Sequence, residues 1–295
     1  MGSTSYGYNV RSERQRVIRG AELLTLLLMI VVVCWLVFPR DLSSSLRNAR
    51  LDAVSLSYMQ AWLKAKPDDY QLRLLLANEL INYGRFSAAQ NQIRYISRHA
   101  GGVYDNAIVW LELRRDFQRL MALQPEQRDG TMLNYAAVTA LRQVDTAQLD
   151  KAQRAQYGEM ALLLGELNLA VTMFDGIAES DEHPEQWYAR SARLLLANGR
   201  YRQAGDEYIK AMDARAIYAL RKQYFLDAMD TLEAGGLHHH ALVLAATRER
   251  IFYHDDEVLF RLLKLAQAGG DLQRAQHYAL LLMHMTRFPA GGPPS

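Results

Sequence analysis

Three consecutive histidines, His238 to His240, are the residues of this 295-residue chain that most invite a chemical reading. Imidazoles hold a metal ion when they converge on it at about 2.0–2.1 Å. Successive residues of a helix point about 100° apart, so the tract reads as a polar turn, and a metal site would need a further partner such as His254. The stretch Tyr253-His254-Asp255-Asp256-Glu257 supplies carboxylates. Asp255 and Asp256 read as N-caps of a following helix, accepting from amides that lack an intrahelical partner. Cys34 is the one cysteine and sits in an apolar run, which leaves the rest of the chain without thiol chemistry, disulfides or cysteine metal sites. No GxSxG, HExxH or phosphate-cradling glycine loop occurs. The residues therefore point to a non-enzyme with neither cofactor nor metal, and the remaining chemistry is binding.

Charge narrows what could be bound. Lys and Arg number 34 against 32 Asp and Glu, a net charge of +2. Residues 1–20 hold Arg11, Arg14, Arg16 and Arg19 against Glu13, so the other 275 residues carry a net charge of −1. The basic character thus belongs to a tail and gives no footprint for nucleic acid.

After the tail runs Leu23 to Phe38, uninterrupted by charge and bounded by Glu22 and Pro39-Arg40. At about 1.5 Å per residue it is slightly short for a hydrocarbon core of about 30 Å, a gap that Ala21 and snorkelling at Glu22 and Arg40 can close. A helix with no polar face fits a membrane better than a soluble core. No small-x-small cleavage pair follows directly, so the run reads as an uncleaved anchor. The expected order is a cytoplasmic basic tail at 1–20, a transmembrane anchor at 21–39, a helical body at 40–288 and a Pro/Gly tail or linker at 289–295. The short basic tail places the body on the outer side, in a bacterium the periplasm.

The body reads as helix almost throughout, with no period-two alternation. A repeat is visible in it. Gly165 to Gly199 spans 34 residues, Gly199 to Gly236 spans 37, and Gly236 to Gly270 spans 34. Five residues beyond each marker stands alanine: Ala89 after Gly84, then Ala170, Ala204, Ala241 and Ala275. Seven before stand Ala77, Gly158, Ala192, Met229 and Leu263. This pattern resembles the tetratricopeptide repeat (TPR), a helix–turn–helix of about 34 residues. The glycine closes the first helix in a left-handed conformation, and the small residues let paired helices approach. The likeness is strongest over 151–182 and 185–218, and fair over 70–100, 222–255 and 256–287. Segment 51–69 reads as a lone helix ending at Pro67. Residues 101–150 keep helical periodicity without the markers and read as two degenerate pairs, with an extended loop at 124–130. The expected fold is all-α: a right-handed α-solenoid of about six TPR-like hairpins behind the membrane helix.

In that family the ninth residue of each first helix faces a binding groove, here Asn78, Glu159, Arg193, Asp230 and Lys264. Their signs alternate. Leu74 occupies the place where the chaperone-tail clamp of some TPR proteins needs lysine, so that activity is not implied despite Asn78. Arg193, with Tyr188 on the same helix, is the first candidate for a partner contact.

The anchor followed by residues 38–93 also resembles, in segment order, the start of the TPR scaffold of Pel-type exopolysaccharide export systems. That resemblance implies an inner-membrane-anchored scaffold that binds envelope export proteins, including a polysaccharide-modifying enzyme, and contacts the bilayer through 21–39. It departs from that family in showing no outer-membrane barrel after residue 288. Alternatives are a periplasmic holdase-type chaperone, a cytochrome c assembly factor with a TPR domain, or a regulator facing the cytoplasm.

Overall fold

The computed structural model describes residues 53–287, together with 27–29 and 32, which are helical. The tail at 1–20, nearly all of the span at 21–39 and the end at 289–295 lie outside the described residues. No described helix is long and apolar enough to cross a membrane. Every described element is helical and no strand occurs among them.

Two compact units divide the chain, one through Ala100 and one from Gly101. The first contains α1 (Ala53–Ala65), α2 (Tyr70–Asn82) and α3 (Phe86–His99). Asp69 caps α2 by accepting from the Leu72 amide at 3.1 Å. On α3 the buried residues Ala89, Ile93 and Ile96 recur at helical spacing and pack towards α2.

The second unit contains α4 (Asp105–Met121), α5 (Met132–Gln143), α6 (Lys151–Leu163), α7 (Leu167–Ala178), α8 (Pro184–Ala197), α9 (Tyr201–Asp213), α10 (Tyr218–Ala234), α11 (His238–Ala246), α12 (Asp256–Ala268) and α13 (Leu272–Arg287). From α6 onward each helix packs on the next. Several first helices start on sequence signals that are local. Asp150 and Gln153 form a reciprocal capping box at α6, Pro184 opens α8, and Asp255 caps α12 by accepting from the Val258 amide at 3.1 Å.

Five of the hairpins close in one way. At Gly199, φ is +71°, its amide donates to the Leu196 carbonyl at 2.9 Å, and the Arg200 amide donates back to Leu195 at 2.9 Å. Those two bonds form a Schellman closure, which needs a left-handed residue and so favours glycine. The same pair of bonds recurs at Gly84, Gly165, Gly236 and Gly270. Five identical turns make the repeat a physical unit.

Residues 101–150 differ from expectation. One hairpin, α4–α5, stands where two degenerate pairs were expected. The surplus length goes into a 17-residue α4 and into links that hold the 3₁₀ helices Pro125–Gln127 and Thr146–Gln148. Arg128 fixes the first link by donating to the Met121 and Leu123 carbonyls at 3.0 and 3.1 Å, which satisfies the end of α4. Cores run along the array. One holds Trp110, Leu113, Phe117, Tyr157 and Phe174; the next holds Phe225, Met229, Leu232, Phe252 and Tyr278.

Candidate functional site

The first helices of the hairpins in the second unit, α6, α8, α10 and α12, are tied to one another by charge. Glu159 on α6 pairs with Arg190 on α8. Arg193, one turn further along α8, lies within electrostatic reach of Asp227 on α10 but forms no ion pair with it. Asp230, one turn beyond Asp227, pairs with Arg261 on α12 at 2.5 Å. In the first and last of these the residue six before the turn glycine of one hairpin pairs with the residue nine before the turn glycine of the next; Arg193 and Asp227 hold the same two positions without an ion pair. The order along the array is Glu–Arg, Arg–Asp, Asp–Arg. The alternating signs at the ninth positions are therefore a ladder between repeats. Glu159 and Asp230 serve the array itself, which corrects their reading as free groove contacts.

The second helices carry a parallel set. Asp175 meets Lys210 at 3.0 Å, Asp206 meets His240 at 2.9 Å, and Asp213 meets Arg248 at 2.6 Å. Each partner lies about one repeat away. Glu207, buried beside Lys210 at 2.6 Å, is pushed up by loss of solvent, against the pull of the ammonium.

Arg193 differs from its neighbours. It is exposed, and among the described residues it makes no direct ion pair. Around it stand Tyr208, Tyr224 and Asp227. Burial pushes both phenols up, with Asp227 adding to the effect, while the Arg193 charge pulls them back. Asp227 is pushed up by burial first and by Asp230 second, again opposed by Arg193. An exposed guanidinium near a buried and a half-buried phenol can grip a carboxylate of a bound chain.

Tyr188 lies elsewhere. Five residues along a helix turn by about 140° net, so Tyr188 and Arg193 point to different neighbours. The Tyr188 ring packs with Lys210 Nζ 5.6 Å from its centre, and burial together with Asp175 pushes its hydroxyl up. This corrects the pairing of Arg193 with Tyr188. Lys264 is exposed and rests over the Phe260 ring at 4.7 Å. Asn78 belongs to the first unit, half-buried, donating to Glu79 at 3.3 Å.

The histidine tract opens α11, and its rings diverge. His240 turns to Asp206, while the Cβ of His238 packs against Gly269. Among the described residues no group of three His, Cys, Asp or Glu could hold a metal ion. Asp255 is the N-cap of α12 and also accepts from Tyr218 at 2.8 Å and from Lys222 at 2.9 Å. Asp256 falls one residue later, inside the helix. Reasoning from the sequence missed Arg190, Asp227 and Arg261. Opposite charges one repeat less three residues apart were the signal.

The fold and the face together define an all-helical array of TPR-type hairpins whose surface offers binding groups. No protein-family model matches the chain, and no curated protein matches it. Solved structures similar to it include PilW, a widely conserved type IV pilus biogenesis factor, at 16% identity over 76% of this chain and 96% of that one, with a TM-score of 0.33. The C-terminal part of a TPR repeat-containing protein from Cytophaga hutchinsonii matches at 11% identity over 72% and 78%, with a TM-score of 0.33. BtubC (BKLC) from P. vanneervenii matches at 13% identity over 77% and 96%, with a TM-score of 0.28. The five recurring turns themselves define the repeat; likenesses at these TM-scores carry nothing about function.

Proposed function

We propose that this protein is a non-enzymatic scaffold: a membrane anchor at 21–39 holds an array of TPR-type hairpins that binds other proteins. The observation that carries this reading is Arg193. Glu159 and Asp230, in the same register, are paired with neighbouring repeats, whereas Arg193 is exposed, makes no ion pair among the described residues, and lies within electrostatic reach of Tyr208 and Tyr224. The basic tail and the charge-free run Leu23–Phe38 support placing the body on the periplasmic side of a bacterial inner membrane. The order of segments over 23–100 supports a role in exopolysaccharide export, with export proteins and a polysaccharide-modifying enzyme as partners.

Crosslinking and capture of the full-length protein from native membranes tests it, with wild type compared to Arg193→Ala. A defined set of envelope export proteins, depleted at least about tenfold by Arg193→Ala, is expected for loss of a charged contact of about 1.4 kcal/mol. A broad spread of unfolded clients, indifferent to that change, would replace the scaffold with a holdase.

A further inference from the structure

A cleft in the first unit holds a buried positive charge without a counterion. Residues of α1, α2 and α3 line it, its volume is about 320 Å³, and the buried side chains of Leu63, Leu76 and Leu80 form its apolar floor. Arg73 of α2 also lines it and is 8% exposed. The Arg73 guanidinium stacks 3.7 Å from the centre of the Tyr95 ring. Its Nε donates to the Pro67 carbonyl at 2.8 Å and its Nη1 to Gln92 Oε1 at 2.6 Å. All three partners are neutral. Among the described residues no carboxylate pairs with Arg73, and Nη2 makes no hydrogen bond. A cation withdrawn from water without an opposite charge is costly, so an anion arriving here gains more than at an exposed arginine.

The rest of the lining says which anion. Lys64 of α1 is exposed and, among the described residues, makes no ion pair. Gln60, Asn91 and Gln92 add three carboxamides, and no described acid lines the cleft. Gln92 Oε1 already accepts from Arg73, which leaves its Nε2 to donate. Two cations and several N–H donors suit a group with more charge and more oxygens than a carboxylate. A phosphoryl group carries about −1.5 to −2 at pH 7 and three strong acceptor oxygens. We propose that this cleft binds a phosphoryl group, with Arg73 and Lys64 as its charged donors and Asn91 and Gln92 as its neutral ones.

Charge along the chain agrees with an anion site in this unit. Residues 53–100 carry six Lys and Arg against three Asp and Glu, whereas residues 101–295 carry 21 against 25. The phosphoryl group has two sources, a soluble phosphate or a lipid headgroup. The second rests on the anchor reading, since α1 begins 15 residues after Phe38. The site itself rests on neither the anchor nor Arg193, so it can fail alone.

Equilibrium dialysis of the full-length protein in detergent micelles against radiolabelled inorganic phosphate, at about 0.15 M chloride, reads the site. Lys64→Gln, at an exposed position, is expected to weaken binding at least about tenfold through loss of one charge-assisted contact. Gln92→Glu sets a carboxylate where Arg73 Nη1 now meets an amide. It is expected to raise Tm and to abolish phosphate binding; a merely structural arginine would give the first effect without the second. Both variants keep Arg73, so neither asks the unit to fold without it. Displacement of the phosphate by dioctanoyl phosphatidic acid at about a tenth of the concentration of unlabelled phosphate, with dioctanoyl phosphatidylcholine inert, supports the site with a lipid headgroup as source. Displacement by unlabelled phosphate alone supports it with a soluble source. Absence of saturable binding, binding indifferent to both substitutions, or displacement by acetate as effective as by phosphate overturns the proposal.

Discussion

Gly205 and Gly176 are both glycines within second helices, yet alanine at the two sites is expected to move stability in opposite directions. An alanine Cβ at Gly205 would lie 2.6 Å from Leu232 Cγ and 2.7 Å from Cδ2. Carbon pairs rest at about 3.5–4.0 Å, so α9 and α10 must part or Leu232 must leave its rotamer. Overpacking of this kind costs about 1–3 kcal/mol, against a gain of about 1 kcal/mol for replacing a helical glycine by alanine. The net is a loss of about 0–2 kcal/mol. At Gly176 a Cβ meets nothing within 4 Å, so only the propensity gain of about 1 kcal/mol remains. Thermal unfolding of the full-length protein, followed by helical circular dichroism, reads both. At about 2–4 °C per kcal/mol, Gly205→Ala lowers Tm by several degrees at most and Gly176→Ala raises it by a few. Leu232→Ala, which alone costs about 2–5 kcal/mol, costs less in the Gly205→Ala background because the new methyl occupies part of the cavity. If both glycine substitutions raised Tm equally, the close approach of α9 and α10 would not constrain the array, and the reasoning from small residues to repeat packing would fall.

Other expectations concern charge and pH. Glu159→Arg sets like charges together at the α6–α8 step and should lower the urea midpoint by an amount worth about 0.5–1 kcal/mol at low salt, shrinking as salt rises. Adding Arg190→Glu should recover only part of it, because Arg190 also stacks over Phe174 at 4.4 Å; full recovery would show that the stacking is idle. At Asp255 burial pushes the carboxyl up, but donation from Lys222, Tyr218 and the Val258 amide outweighs it and holds the group below the usual aspartate range. Its contribution to stability is thus present above that range and is lost as pH falls through the folded value. Asp255→Asn keeps a good N-cap but removes the partner of Lys222, so its Tm deficit should be widest near neutral pH and close towards about pH 3. A deficit constant with pH would refute the assignment.

The sequence by itself determined the all-helical class, the hairpin unit and its turns. Gly84, Gly165, Gly199, Gly236 and Gly270 were legible because a left-handed residue at a helix end is a local demand, met within six residues of chain. Helix starts at Pro184 and Asp255 were legible for the same reason. Residues 101–150 were misread because α4 and α5 close without that turn, leaving periodicity alone to count helices. Only the tertiary structure decided which charges are spent. Glu159, Asp230 and Arg193 occupy the same register and looked alike in sequence, but Glu159 and Asp230 are paired with Arg190 and Arg261, each 31 residues away, while Arg193 makes no ion pair among the described residues. Whether two side chains so far apart meet depends on how one hairpin stacks on the next. Packing likewise separated Gly205 from Gly176: both are glycines within second helices, but they differ in what covers them, and the neighbouring helix sets that cover.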